Sequence, residues 1–226
     1  MGHFHVRPDN GVPVSASSTP FSMGFKLAEA CAIVGAALLG LRLLPLVIDA
    51  GVLNVPVAPL MLFGADVLSG VVHWAFDRWG TVETPLVGPN LIRTFREHHT
   101  DPLGITRHGF VEANGGPAMG AIVLLGLGYF VPPTFAVAAF WLGAFGFFTN
   151  VVLAWAHGAA PRPVRWLQRA GILLSADHHD AHHRAPHDRA YCITTGWANP
   201  LLDRLRVWDR LERAISAATG VEPCRG

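Results

Sequence analysis

Four stretches of this 226-residue chain stay apolar for about the length that a helix needs to cross a bilayer, roughly 20 residues. They are 27–48, 52–76, 117–131 and 134–155. Inside hydrocarbon a backbone must satisfy its own N–H and C=O groups, so each stretch reads as a helix. "VPPT" breaks the last two apart as a tight turn, because proline cannot continue a helix. "DAGVLN" joins the first two, which makes a second helical hairpin. Composition agrees: only 15% of residues are charged, against roughly 25% in a soluble domain.

The net charge of +1 offers no footprint for nucleic acid. Three widely spaced cysteines, Cys31, Cys192 and Cys224, form neither a metal motif nor a disulfide framework. Residues 1–22 are polar and lack the apolar core of a cleavable signal, so a disordered tail is expected there. The membrane domain is read as 23–213, followed by a C-terminal tail at 214–226.

Basic residues orient the spans. Neither hairpin turn carries Lys or Arg, whereas the central segment carries Arg78, Arg93, Arg96 and Arg107, and ten arginines follow His157. Positive charge marks the cytoplasmic side. Both termini and the central segment are therefore expected there, as a cytosolic helical cap. Every histidine beyond the N-terminal tail falls in the same place or at that end of a span.

Those histidines are the second constraint. "SADHHDAHHRAPH" places five within ten residues. On a helix turning about 100° per residue, His178, His182, His179 and His183 sit at about 0°, 40°, 100° and 140°. Four imidazoles on one arc suit a shared metal better than a solvated face, because clustered imidazolium groups repel. "FREHHTDPLGITRH" adds His98, His99 and His108. Adjacent histidines diverge by about 100°, so both reach one bimetal centre but hardly one metal in parallel. Pro102 is expected to end that helix and leave His108 on a loop or a new turn. "SGVVHWAFD" adds His73 and Asp77 at i,i+4, with Asp77 a ligand or an acceptor that orients an imidazole. An interfacial histidine beside Trp74 and Trp79 is the plainer reading of His73. "TNVVLAWAHG" adds His157.

Zinc uses about four ligands, so this set exceeds one site. A two-metal centre rich in neutral nitrogen suits non-haem iron and oxygen chemistry on a lipid chain. A metal transporter is the reading from another class, and it predicts ligands near the bilayer midplane. A bis-histidine haem bundle would leave most of the imidazoles unexplained.

"DVLSGVVHWAFDRWGTVETPLVG", "FREHHTDPLGITRHGFVEANG", "TNVVLAWAH" and "SADHHDAHH…YCITTGWANPLLD" together resemble the CarF (Kua) family of lipid desaturases, of the plasmanylethanolamine desaturase type. Plant plastid desaturases are more distant members. The resemblance covers roughly 64–211. It implies an integral membrane, O2-dependent desaturase with a histidine-bound di-iron centre, acting on an ether phospholipid to form the vinyl-ether bond of a plasmalogen. A fatty acyl desaturase or hydroxylase on the same scaffold is the near alternative. The positions that match the family's motifs are His73, Asp77, His98, His99, His108, His157, His178, His179, His182 and His183, while His187 lies outside the shared pattern. Gly109, Gly116 and Leu153 depart from it, standing where two acidic residues and another histidine are expected. No haem, flavin or iron–sulfur motif is present, so electrons are expected from a ferredoxin or a cytochrome b5-type donor. Arg93, Arg96 and Arg107 are candidates to meet that donor or a lipid phosphate.

Overall fold

The computed structural model describes residues 23–158 and 160–224. The expected N-terminal tail lies outside them. Among the described residues the ordered elements are all helical. The long ones are α1 (Met23–Asp49), α2 (Asn54–Arg78), α4 (Phe110–Leu127) and α5 (Pro133–His157). Between and after them come α3 (Arg93–Thr100), α6 (Arg162–Arg169), α7 (Ala176–His179), α8 (Asn199–Arg204) and α9 (Val207–Thr219). The four long helices, the second counted from Gly51, are long and apolar enough to cross a membrane. Their outward residues suit lipid: Leu27, Val34, Leu41, Val55, Leu60, Phe135 and Phe148 are all exposed.

The third span differs from the sequence expectation. It begins at Phe110 rather than at Pro117, so Pro117 sits inside α4. Proline there lacks the N–H that would bond the carbonyl four residues back. Asn150 of α5 supplies the missing donor, its Nδ2 bonding the Ala113 carbonyl at 2.7 Å. The helix therefore continues through the proline.

α4 packs along α1 and α5, and α2 packs along α5. α1 and α2 are joined by a tight turn at Gly51–Leu53 but make little direct contact with each other. Asn54 fastens that turn, donating to the Val47 and Gly51 carbonyls and accepting from Trp141 Nε1 of α5 at 2.8 Å. α1 meets α4 at Gly115, where any side chain would overlap the buried Glu29.

The cap is held by α2. The segment 190–198 runs against this helix and reaches Asp66, which is fully buried. Asp66 Oδ1 accepts from the N–H groups of Thr194, Thr195 and Gly196 at 2.7–3.1 Å, and Oδ2 accepts from Ala198 at 3.0 Å. Four donors on one carboxylate offset its desolvation. Gly70 leaves no room for a side chain beside Cys192, which lets the segment lie on the helix. Thr194 also meets Thr149 of α5 at 2.9 Å, so the segment bridges α2 and α5. Arg78 forks onto Glu212 of α9 at 2.7 and 3.1 Å. α9 crosses the expected boundary at 213/214 and runs on to Thr219, with Ile215 packed on the Trp74–Tyr191–Trp208 cluster. The tail from 214 is thus partly helix and partly core.

Candidate metal centre

One stripe of α2 carries Asp66, Gly70, His73 and Asp77, because spacings of three and four residues return to the same helical face. Asp66 and Gly70 seat the cap segment. One to three turns further on, His73 and Asp77 point into the space under that segment. α3 delivers His98 and His99, α5 ends on His157, and the α7 turn delivers His179, His182 and His183.

Eight side chains meet there as two groups of four. The first is His73, Asp77, His99 and His182, and the second is His98, His157, His179 and His183; within each, one ligand atom per residue lies within 4.8 Å of all the others. The adjacent pair splits as helical geometry requires: His99 enters the first pocket and His98 the second. The pockets share a wall, with the His182 and His183 ring centroids 5.8 Å apart.

In the first pocket Asp77 Oδ2 lies 3.3 Å from Nε2 of both His73 and His99, and 3.4 Å from that of His182. His99 Nε2 and His182 Nε2 face each other at 3.0 Å. Bonds of about 2.1 Å to one cation place neighbouring ligands roughly 3.0–3.4 Å apart, so these separations fit a common ion. The outer nitrogens are fixed. His73 Nδ1 donates to the Tyr191 carbonyl at 3.0 Å, and His182 Nδ1 donates to the Arg189 carbonyl at 2.7 Å. A carbonyl only accepts, so each ring carries its proton on Nδ1 and turns a lone pair inward from Nε2. Neither Asp77 oxygen has a hydrogen-bond partner, although both are buried. A buried, unpaired carboxylate is costly unless a cation joins it.

The second pocket holds four imidazoles and no carboxylate. His179 Nε2 and His183 Nε2 face each other at 3.0 Å, and His98 stands edge-on to His157 with centroids 4.5 Å apart. Nε2 of His98 and His157 and Nδ1 of His179 and His183 are buried without partners. Burial first, then the neighbouring histidines, pushes the His98 and His179 rings well below the usual imidazole range and His183 down to about 2. Neutral imidazole is the form that binds a metal. Both pockets therefore suit a divalent first-row ion by donor type, spacing and protonation.

Two sequence candidates stand elsewhere. The expected helix over 175–183 is a single turn, Ala176–His179, capped by Ser175 and followed by a tighter turn in which His182 N–H reaches the His179 carbonyl at 2.9 Å. The arc of four imidazoles is therefore broken. His178 swings away and pairs with Asn199 at 3.2 Å. His108 sits on the loop before α4, as expected, and its Nδ1 lies 3.0 Å from Glu112. It lines a cleft of about 350 Å³ with Phe110, Asn114, Asn150 and Trp155.

The central arginines are engaged within the chain. Arg96 donates to the Trp79 and Gly80 carbonyls, Arg107 pairs with Asp101, and Arg93 lies 3.8 Å from Glu97. Leu153 is buried in one core cluster with Leu174 and Ile193. The clamp made by Asp66 was not anticipated, though a lone carboxylate inside an apolar run was its signal.

Residues 62–225 match the family described as the lipid desaturase domain. Plasmanylethanolamine desaturase 1 of Mus musculus is 42% identical over 185 residues, covering 73% of this chain and 68% of its own length. Plasmanylethanolamine desaturase of Myxococcus xanthus is 42% identical over 166 residues, covering 70% of this chain and 59% of its own. The chloroplastic fatty acid desaturase 4 of Arabidopsis thaliana is 38% identical over 166 residues, covering 70% and 50%. The chain thus spans between half and about two thirds of the length of these relatives. No solved structure matches it. The matched region contains both pockets, the Asp66 clamp, most of α2 and every later helix, and on that basis the chain belongs to the lipid desaturase family.

Proposed function

We propose that the chain is an O2-dependent desaturase of membrane lipids with a di-iron centre, forming the vinyl-ether bond of a plasmalogen from plasmanylethanolamine. The observation that supports this most is the pair of adjoining four-ligand pockets at one end of four apolar helices. The names of two relatives, both plasmanylethanolamine desaturases, support the substrate.

In this reading His73, Asp77, His99 and His182 hold one iron, and His98, His157, His179 and His183 hold the other. Bound there, the irons supply the oxidising power to break an unactivated C–H bond. The protein's part is to fix and shelter that chemistry. The Tyr191 and Arg189 carbonyls hold His73 and His182 in the ligating tautomer. The Asp66 clamp keeps the segment that carries Tyr191 in place. The buried Tyr191 ring lies against His73 and His182 and keeps water from that side of the first pocket. Overall, two adjacent CH2 groups lose two hydrogens to become CH=CH. These hydrogens, two further electrons and two protons carry O2 to two waters. An external one-electron carrier of the ferredoxin or cytochrome b5 type supplies the electrons. The arginine bias supports a cytoplasmic location for both termini and the pockets.

His108 and His178, with partners of their own, serve outside the ligand set. The test is expression in a host lacking plasmalogens, followed by an acid-labile vinyl-ether assay and metal analysis. Vinyl-ether lipid and two irons per chain are expected. Stoichiometric zinc without iron would sink the proposal. The relative named as a fatty acid desaturase favours a second reading, in which an acyl chain is the substrate. The same lipid extract separates the two, since an acyl product loses two hydrogens without becoming acid-labile. A hydroxylase would instead add one oxygen.

A further inference from the structure

One imidazole near the centre has no role in either pocket. His187 stacks face to face on His99, with centroids 4.4 Å apart and planes 13° from parallel. It belongs to neither group of four, and its Nδ1 donates to the His182 carbonyl at 3.0 Å. Its backbone takes a left-handed conformation, φ 56°, which a side-chain-bearing residue adopts at a cost. That conformation is held from both sides. The His187 N–H reaches the Arg184 carbonyl at 3.1 Å, and the His187 carbonyl accepts from Tyr191 Oη at 2.8 Å. The loop thus spends backbone strain and three hydrogen bonds to keep a half-buried ring on a ligand ring. Exposed Arg184 and Arg189 flank it in the same loop, with Asp188 the only carboxylate in 184–189.

We propose that His187 is the electron-entry residue, the point where an acidic one-electron carrier protein touches the chain and passes electrons through the His187–His99 stack. This rests on the redox reading above. Each transfer oxidises one reduced carrier by one electron and reduces the centre by one, and two such transfers serve each double bond. Arg184 and Arg189 meet carboxylates on the carrier's rim. His187 acts through His99 and is a positioning residue rather than a catalytic one.

The test uses the iron-loaded protein in lipid nanodiscs, without oxygen, and follows the absorbance of pre-reduced ferredoxin and, separately, of cytochrome b5. His187→Asn keeps a residue that tolerates left-handed backbone and can still hydrogen-bond, but removes the ring. His187→Phe keeps a ring. Carrier oxidation by H187N is expected to slow at least about tenfold, the lower end of what partners behind metal ligands contribute. Iron content and reduction by dithionite are expected to stay as in wild type, and H187F to recover most of the rate. Equal carrier rates in H187N and wild type would overturn the proposal. So would an equal slowing with dithionite, or loss of iron from H187N, because each makes the ring structural. A wild-type protein that binds no iron would overturn the redox reading itself, and metal analysis tells that outcome apart.

Discussion

The two pockets are neighbours built by opposite means. The one around Asp77 is charged and wired: its carboxylate faces three imidazoles, and two of these have their outer nitrogens bonded to backbone carbonyls. The one around His179 is neutral and packed: four imidazoles, no carboxylate, and nitrogens buried without partners. A divalent ion keeps its full charge in the second pocket and is half compensated in the first. The same cation is therefore held more firmly beside Asp77, while the all-imidazole pocket leaves its ion the more electron-poor. Such an asymmetry gives two otherwise similar metals different affinities and potentials.

Removing the carboxylate strikes at the difference directly. Asp77→Ala is expected to abolish desaturation, with a loss of at least about a hundredfold, since even partners behind the ligands contribute 10–100-fold. Iron is expected to fall from two per chain to one, because the neutral pocket shares no ligand with Asp77. Retention of both irons in D77A, measured by plasma emission on purified protein, would show that the pockets are not separate holders.

Acid should strain the neutral pocket. Burial holds His98, His179 and His183 below the unfolded imidazole value of about 6.5. The unfolded chain therefore binds protons that the folded one refuses. Stability of the metal-free protein is full above about pH 6.5 and falls as pH drops toward the folded values, by about 1.4 kcal/mol per pH unit for each such histidine. Thermal unfolding of metal-free protein from pH 8 to 5 should show this decline below 6.5. Replacing His179 with Gln should make it shallower. A flat profile in the unaltered chain would mean that the second pocket is open to water.

The divergence of His98 and His99 was legible in the sequence, because adjacency on a helix is a local fact. So were the four apolar helices and the grouping of imidazoles at one end of them. Partner choice across the chain was not. Nothing local to His178 says that Asn199, twenty-one residues on, takes its ring, or that α7 stops after one turn. Pro117 read as a helix start because the rescuing donor, Asn150, lies thirty-seven residues away from the carbonyl that it meets. Asp66 was visible as a charge in an apolar run, but its four backbone donors belong to a segment some 130 residues later. In each case a long-range hydrogen bond decided what periodicity and propensity left open.

Asp66 also ties the fold most directly to the Asp77 pocket. Its clamp sits three to nine residues beyond Tyr191 and Arg189, whose carbonyls orient His73 and His182. Asp66→Ala leaves four buried N–H groups without an acceptor and should destabilise the protein by about 3 kcal/mol or more, each lost charged bond being worth roughly 1.5–3. Iron should be lost from the Asp77 pocket before the His179 pocket as chelator is raised. Loss from both together would mean that the clamp supports the cap as a whole.

The smallest effects are expected from the histidines that neither pocket takes. His178 is bonded to Asn199, and His108 faces Glu112. His178→Ala costs one hydrogen bond, about 1 kcal/mol, and packing on Gly196. His108→Ala removes an exposed pairing worth less than about 1 kcal/mol. Neither should change the two irons per chain, and activity should stay within about tenfold of the parent, far from the D77A loss. A drop in iron on either substitution would move that histidine into a pocket and redraw the line between the charged site and the neutral one. The His178 variant is the sharper probe, because its backbone neighbour His179 lies in the all-imidazole pocket. A fifth imidazole there would saturate the one ion that the present geometry leaves least compensated.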